Sequence, residues 1–188
     1  MAKLCVLIGS HGVGKTTAFE YVKSKLCRSD IEFIPDVARL CPYPVGATTT
    51  LKAQLWIFHE QLRRESGSKI AICDKSAIDH YAYIIHWFGK KPKLEHRLIE
   101  QLQHYELIIK FPPNPHFLIK DDIRPANTEF QQKIDRIIEE LIDSWELQVK
   151  RIRDTRSEQI VARVYEEVHS WLSHLTYETE IEEKPKPP

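Results

Sequence analysis

The stretch LIGSHGVGKTTAF, residues 7–19, sets three glycines and a lysine between an apolar run and the start of a helical period. Glycine inside a helix costs roughly 1 kcal/mol relative to alanine, so ordinary helix or strand formers would stabilise either neighbour better. The glycines therefore point to something the loop holds. Gly9-Ser10-His11-Gly12-Val13-Gly14-Lys15-Thr16 matches the pattern G-x-x-x-x-G-K-[ST] at every fixed position, and Thr17 follows. Glycines let the backbone curl so that its N–H groups point inward at a phosphate, and the helix beyond adds the positive end of its dipole. Lys15, expected to be exposed on such a loop, would reach the β- and γ-phosphates, while the Thr16 hydroxyl would ligate Mg²⁺. A plain strand-to-helix turn would need no Lys-Thr. Residues 9–17 are thus the expected binding segment for ATP and Mg²⁺.

The rest of the chain alternates in the same way. Short, continuously apolar runs at 3–8, 31–34, 69–73, 106–111 and 147–152 read as strands. Apolar residues at helical spacing mark 16–27, 51–65, 77–88, 94–102, 128–145 and 158–175. Strands that are apolar throughout belong to a parallel sheet covered on both faces. The expectation is a three-layer α/β fold with a five-stranded parallel sheet, helices on both faces and a small helical lid. It would form one domain over 1–176, with the lid at about 112–136 and a disordered tail at 177–188.

Lys plus Arg and Asp plus Glu number 27 each, so the net charge is zero, which weighs against a nucleic-acid partner. Cys5, Cys27, Cys41 and Cys73 show no CxxC spacing and read as buried free thiols in a reducing compartment. The segment MAKLCVLIG reaches glycine too soon for a signal peptide, and no apolar stretch approaches 18 residues. A cytoplasmic protein without a membrane segment is expected. The oligomeric state is left open.

Ligands of a parallel sheet bind outside the carboxyl ends of its strands. FIPDVAR places Asp36 and Arg39 there, and CDKSAIDHYAY places Asp74, Lys75 and Asp79. An aspartate at such a strand end can hold a Mg²⁺-bound water or accept a proton. Asp74 and Asp36 have the alternative of capping a helix or turn, and Asp79 that of facing solvent. The segment after the fourth strand, FPPNPHFLIKDDIRPANTEFQQKIDRIIEELI, offers Arg124 and Arg136 as cations that a lid would bring over the phosphates. Its alternative is an ordinary surface helix, and Arg39, Lys75 and Arg124 have that of solvated surface charge. The N-K-x-D element of GTPases is absent, and the arginine-rich elements of large ring ATPases have no room.

On these residues the sequence resembles the small kinases of the nucleoside and nucleotide kinase type, within them the AAA-domain proteins related to the ribosylnicotinamide kinase domain. The matching pieces are GSHGVGKTT, PDVAR, QLWIFHEQLRRE, CDKSAIDHYAY and DDIRPANTEFQQKIDRIIEELI, in the family's order, over roughly residues 3–152. The resemblance implies that Asp36 stands where the family has an acidic residue near the acceptor hydroxyl, and that Gln54 or Arg39 touches the acceptor. The family usually carries Asp-Arg where this chain has Asp74-Lys75, and lysine lacks arginine's two-pronged fork.

Three activities fit. The first is ATP- and Mg²⁺-dependent phosphoryl transfer to a nucleoside, nucleotide or similar small hydroxyl compound. The others are an ATPase or nucleotide-operated switch acting on a protein, and a 5′-hydroxyl polynucleotide kinase. In the first, Lys15, Asp36, Asp74, Arg124 and Arg136 are catalytic, and Thr16 and Asp74 hold the metal. Asp36, Arg39, Gln54, Lys75 and Asp79 bind the acceptor. Trp56, Phe58, Tyr81, Tyr83 and Trp87 either stack a base or fill the core.

Overall fold

Strands and helices alternate along the computed structural model, which describes residues 2–114, 117 and 128–182, with side chains through 176. The order is β1 (Lys3–Ile8), α1 (Lys15–Lys25), β2 (Glu32–Ile34), α2 (Leu51–Gly67), β3 (Ile70–Cys73), α3 (Ala77–Phe88), α4 (Pro92–Leu102), β4 (Tyr105–Lys110), α5 (Thr128–Ser144), β5 (Lys150–Arg151) and α6 (Ser157–Glu182). Two short 3₁₀ turns, Val37–Leu40 and Gly46–Thr48, precede α2. The sheet runs β2-β3-β1-β4-β5, and each pairing is parallel. The expected three-layer fold is present.

Alternation along the strands divides the interior in two. Leu4, Val6 and Ile8 face one core with Ala71, Cys73 and Ile108, covered by residues of α2, α3, α4 and α5. Cys5 and Leu7 face the other with Ile72, Leu107 and Ile109, covered by residues of α1 and α6. Successive strand side chains point to opposite faces, so continuous apolarity is what a sheet buried on both sides requires.

Several boundaries depart from expectation. β5 pairs over only two residues, Lys150 and Arg151, against Ile109 and Lys110, although Leu147 and Val149 still pack on the first core. Apolar burial made 147–152 look like a longer strand. α6 continues to Glu182, past the expected domain end at 176, since neither proline nor glycine intervenes before Pro185. Residues 115–116 and 118–127 of the expected lid lie outside the described residues, as do 183–188. Cys5 and Cys73 are buried as expected, whereas Cys27 is exposed and Cys41 half-buried. Cys27 lies past the end of α1 and joins neither core. Among the described residues no helix is long and apolar enough to cross a membrane.

The backbone between β1 and α1 takes conformations that favour glycine. Gly9, Gly12 and Gly14 have φ of 145°, 63° and 93°. A Cβ on Gly9 would stand 2.8 Å from the carbonyl oxygen of Phe111, closer than such atoms approach. Gly9→Ala is therefore expected to destabilise the domain by about 1–3 kcal/mol, read as a lower urea midpoint. A midpoint equal to that of the wild type would show that the β1 and β4 ends separate freely.

Candidate active site

The carboxyl ends of β1, β3 and β4 bring the functional residues to one edge. The loop 9–14 leaves β1, and α1 begins at Lys15 with Gly14 at its left-handed N-cap. The Gly9 N–H donates to Asp79 Oδ1 at 2.9 Å. The other oxygen, Oδ2, accepts from the Ser76 N–H and hydroxyl at 3.1 and 3.0 Å, forming a capping box at the start of α3. Asp79 is 0% exposed. It neither lines an acceptor site nor faces solvent, because both oxygens are consumed in fixing the loop to α3.

Lys15 also differs from expectation. It is buried, and its Nζ donates to the carbonyls of Gly9 and Ser10, both at 2.6 Å. The loop wraps around its own lysine and holds the ammonium in place. Ser10, His11 and Val13 are buried, Gly12 and Gly14 half-buried, and Thr16 and Thr17 exposed at the first turn of α1.

Thr16 Oγ1 donates to Asp74 Oδ2 at 2.8 Å, directly past the end of β3. The second oxygen, Asp74 Oδ1, is buried and has no hydrogen-bond partner. Burial pushes the Asp74 carboxyl above the usual aspartate range; the Thr16 hydrogen bond opposes the shift, and the charge of Asp36 adds to it. A hydroxyl and a carboxylate, both hard oxygen donors, with one buried oxygen unsatisfied, suit a divalent cation that also takes phosphate oxygens. Among the described residues no group of three or more His, Cys, Asp or Glu side chains would hold a metal unaided.

Asp36 and Lys75 form a buried ion pair at 3.2 Å, each side chain 4% exposed. Asp36 Oδ1 also accepts from the Ala38 N–H at 3.1 Å, capping the 3₁₀ turn Val37–Leu40. The Lys75 ammonium lies 5.3 Å from the Tyr83 ring centroid. Beside this pair a narrow cleft, with a cavity volume of about 40 Å³, is lined by Ala38, Val45, Gln54, Lys75, His80, Tyr83, Trp87 and Phe130, among others. Gln54 was expected there; its amide donates to Thr49 Oγ1 at 2.9 Å. Of the aromatics, Tyr83 and Trp87 line the cleft, whereas Phe58 and Tyr81 are wholly buried and Trp56 packs against the core. Arg39 is exposed and is not part of the lining. Arg136 is exposed on α5, and Arg124 lies outside the described residues.

Three groups of residues that brace the candidate site and its strand ends escape the sequence patterns. Gln131 Nε2 on α5 donates to the carbonyls of His11 and Gly12, at 2.8 and 3.3 Å, strapping the loop from above. Lys110, 2% exposed at the end of β4, bonds Asp135 at 2.6 Å and Glu139 at 3.2 Å. A lysine closing an otherwise apolar strand was the available signal. Glu65, 0% exposed, accepts from Gln61 at 2.9 Å and Tyr105 at 2.8 Å. Gln61 in turn donates to the Lys75 carbonyl at 2.9 Å, and the Tyr105 hydroxyl accepts from the Ala77 N–H at 3.2 Å. These three residues brace the turn that carries Asp74 and Lys75. The signal was a carboxylate on the apolar stripe of α2, in phase with Phe58 and Leu62.

This combination is a P-loop nucleotide-binding domain, in which a glycine loop after the central strand faces a carboxylate at the end of its neighbour. A family model described as an AAA domain matches residues 4–159, and the chain belongs to that family. No curated protein matches the sequence significantly. Among solved structures, a deoxyadenosine kinase from M. mycoides is 14% identical with a TM-score of 0.61, over 92% of this chain and 99% of that one. The NadR protein in complex with NR is 19% identical with a TM-score of 0.65, over 88% of this chain. This chain spans about half of NadR, 51%. The YorR protein from Bacillus subtilis, in a complex with phosphorylated GDP, is 12% identical with a TM-score of 0.58, over 94% and 98%. At such identities the likeness is one of fold alone.

The Glu65 brace generates a pH dependence. Burial pushes the Glu65 carboxyl from 4.5 up to about 7 against the hydrogen bonds of Gln61 and Tyr105. A raised folded-state value means its contribution is full below pH 4.5 and is lost as pH rises through about 7. Glu65→Gln should therefore gain up to about 3 kcal/mol relative to the wild type between pH 5 and pH 8, measured by urea unfolding. A difference that stays flat across that range would show that Glu65 is ionised throughout.

Proposed function

We propose that this chain is an ATP- and Mg²⁺-dependent kinase that phosphorylates a hydroxyl of a nucleoside-like acceptor. The observation that carries the reading is the cleft, aromatic on one side and edged by the Asp36–Lys75 pair, opening beside the phosphate loop. The lining supports the reading: Tyr83, Trp87 and Phe130 offer flat apolar faces, while Gln54 and His80 offer polar edges. A nucleotide switch acting on a protein needs no such cleft.

The pairing of Lys75 with Asp36 favours an uncharged acceptor. A lysine whose charge is met by a buried carboxylate 3.2 Å away is a weak partner for an additional phosphate. Nucleosides are therefore preferred over nucleoside monophosphates.

The residues divide the work. Loop N–H groups and Lys15 bind the phosphates and stabilise the charge of the migrating group. Thr16 and Asp74 would hold Mg²⁺, which supplies charge neutralisation at the phosphate oxygens. Asp36 stands on the acceptor side, where it would orient the attacking hydroxyl and accept its proton. Arg124 and Arg136 are assigned to the lid, and the walls of the cleft exclude water.

Incubating the protein with ATP and Mg²⁺ across nucleosides, nucleotides and oligonucleotides tests the reading. ADP release is expected to rise with at least one nucleoside and not with oligonucleotides. ADP release that no acceptor stimulates would favour the ATPase. Asp36→Asn is expected to lower transfer by on the order of 10²-fold while slow ATP hydrolysis persists, whereas Asp74→Asn impairs both. The opposite pattern would exchange their roles. Lys15→Ala should abolish turnover in protein whose circular dichroism shows it folded.

A further inference from the structure

His11 occupies a variable position of the phosphate loop, where phosphate binding asks only for a backbone N–H. Its surroundings are nevertheless specific. The ring is 2% exposed. Its Nδ1 lies 3.2 Å from the Tyr83 hydroxyl, and its centroid lies 5.1 Å from that of Phe130. Its own carbonyl accepts from Gln131, the residue after Phe130 on α5. Tyr83 and Phe130 are also walls of the acceptor cleft and meet edge to face at 6.0 Å. A loop side chain is thus packed against the backs of two cleft walls.

We propose that His11 is a positioning residue that couples the phosphate loop to the acceptor cleft. The inference rests on reading that cleft as the acceptor site. A change in the path of the loop moves the imidazole, and the imidazole moves Tyr83 and Phe130. The converse holds for a ligand pressing on those rings, because coupling between two sites is reciprocal. The arrangement favours phosphoryl transfer when both sites are filled and makes hydrolysis without acceptor slow.

Trp87 reports on the cleft, since it lines it and lies 5.7 Å from Phe130. The probe is AMP-PNP with Mg²⁺, added to the full chain while loop amides and the Trp87 indole N–H are followed by NMR. In the wild type, saturation of the loop is expected to shift the Trp87 signal. His11→Ala should cut that shift at least about threefold, and Tyr83→Phe should cut it less because the ring contact through Phe130 remains. Adding Tyr83→Phe to His11→Ala should change nothing further. His11→Asn, which keeps a polar atom near the Nδ1 position, should restore part of the shift. A Trp87 signal unmoved by nucleotide in the wild type overturns the proposal, as do full shifts in both single variants or independent, additive losses. Loop amides that ignore AMP-PNP overturn both the phosphate-loop assignment and the coupling. Absence of nucleoside phosphorylation counts against the kinase reading alone, because the Trp87 response needs nucleotide and no acceptor.

Discussion

The carboxylate of Asp79 is the point on which the site is assembled. One oxygen takes the Gly9 N–H, and the other closes the capping box at the head of α3. The first residue of the phosphate loop and the first turn of the cleft's main helix are therefore placed by one buried side chain. Removing it would orphan the buried N–H groups of Gly9 and Ser76, each a cost of about 1 kcal/mol or more. The Lys15 contacts to Gly9 and Ser10 and the Gln131 contacts to His11 and Gly12 refine a loop whose origin Asp79 has set.

Around that anchor, charge is arranged in nearly closed pairs. Lys75 meets Asp36, and Lys110 meets Asp135 and Glu139, while Arg151 reaches Glu139 at 2.8 Å. Buried pairs of this kind add little net stability, because desolvation offsets attraction, yet breaking one strands a charge. Their effect is directional. They hold strand ends and helix starts in one relative position while leaving Asp74 one oxygen without a hydrogen-bond partner, the other being taken by Thr16. The Asp135 carboxyl, raised by burial despite the Lys110 contact, belongs to the same economy of partly compensated acids.

Much of this was legible in the sequence. The parallel sheet followed from strands without polar alternation, and the phosphate loop from a spacing that few other structures need. The expected partners Thr16 and Asp74 do meet, 2.8 Å apart. What failed did so because chain order carries no distances. Asp79 looked like an available acid because a helical carboxylate one turn from the N-terminus can point either way; only Gly9, 70 residues earlier, decides. Lys15 looked exposed because loops usually are, but two carbonyls of the same loop turn its stem inward. Tyr83 and Tyr81 read alike on α3, and only the placement of α5 separates cleft wall from core.

α5 gives two consecutive residues to different duties, Phe130 to the cleft wall and Gln131 to the phosphate loop. The loop is made before its strap, which lies 120 residues further along the chain. A ribosome that has just passed residue 110 has produced the glycine motif and both strand-end aspartates, but not the helix that holds the loop's carbonyls. The loop is thus held on both sides only once α5 has been made. A product truncated before α5 would carry the whole glycine motif and lack the strap on its carbonyls.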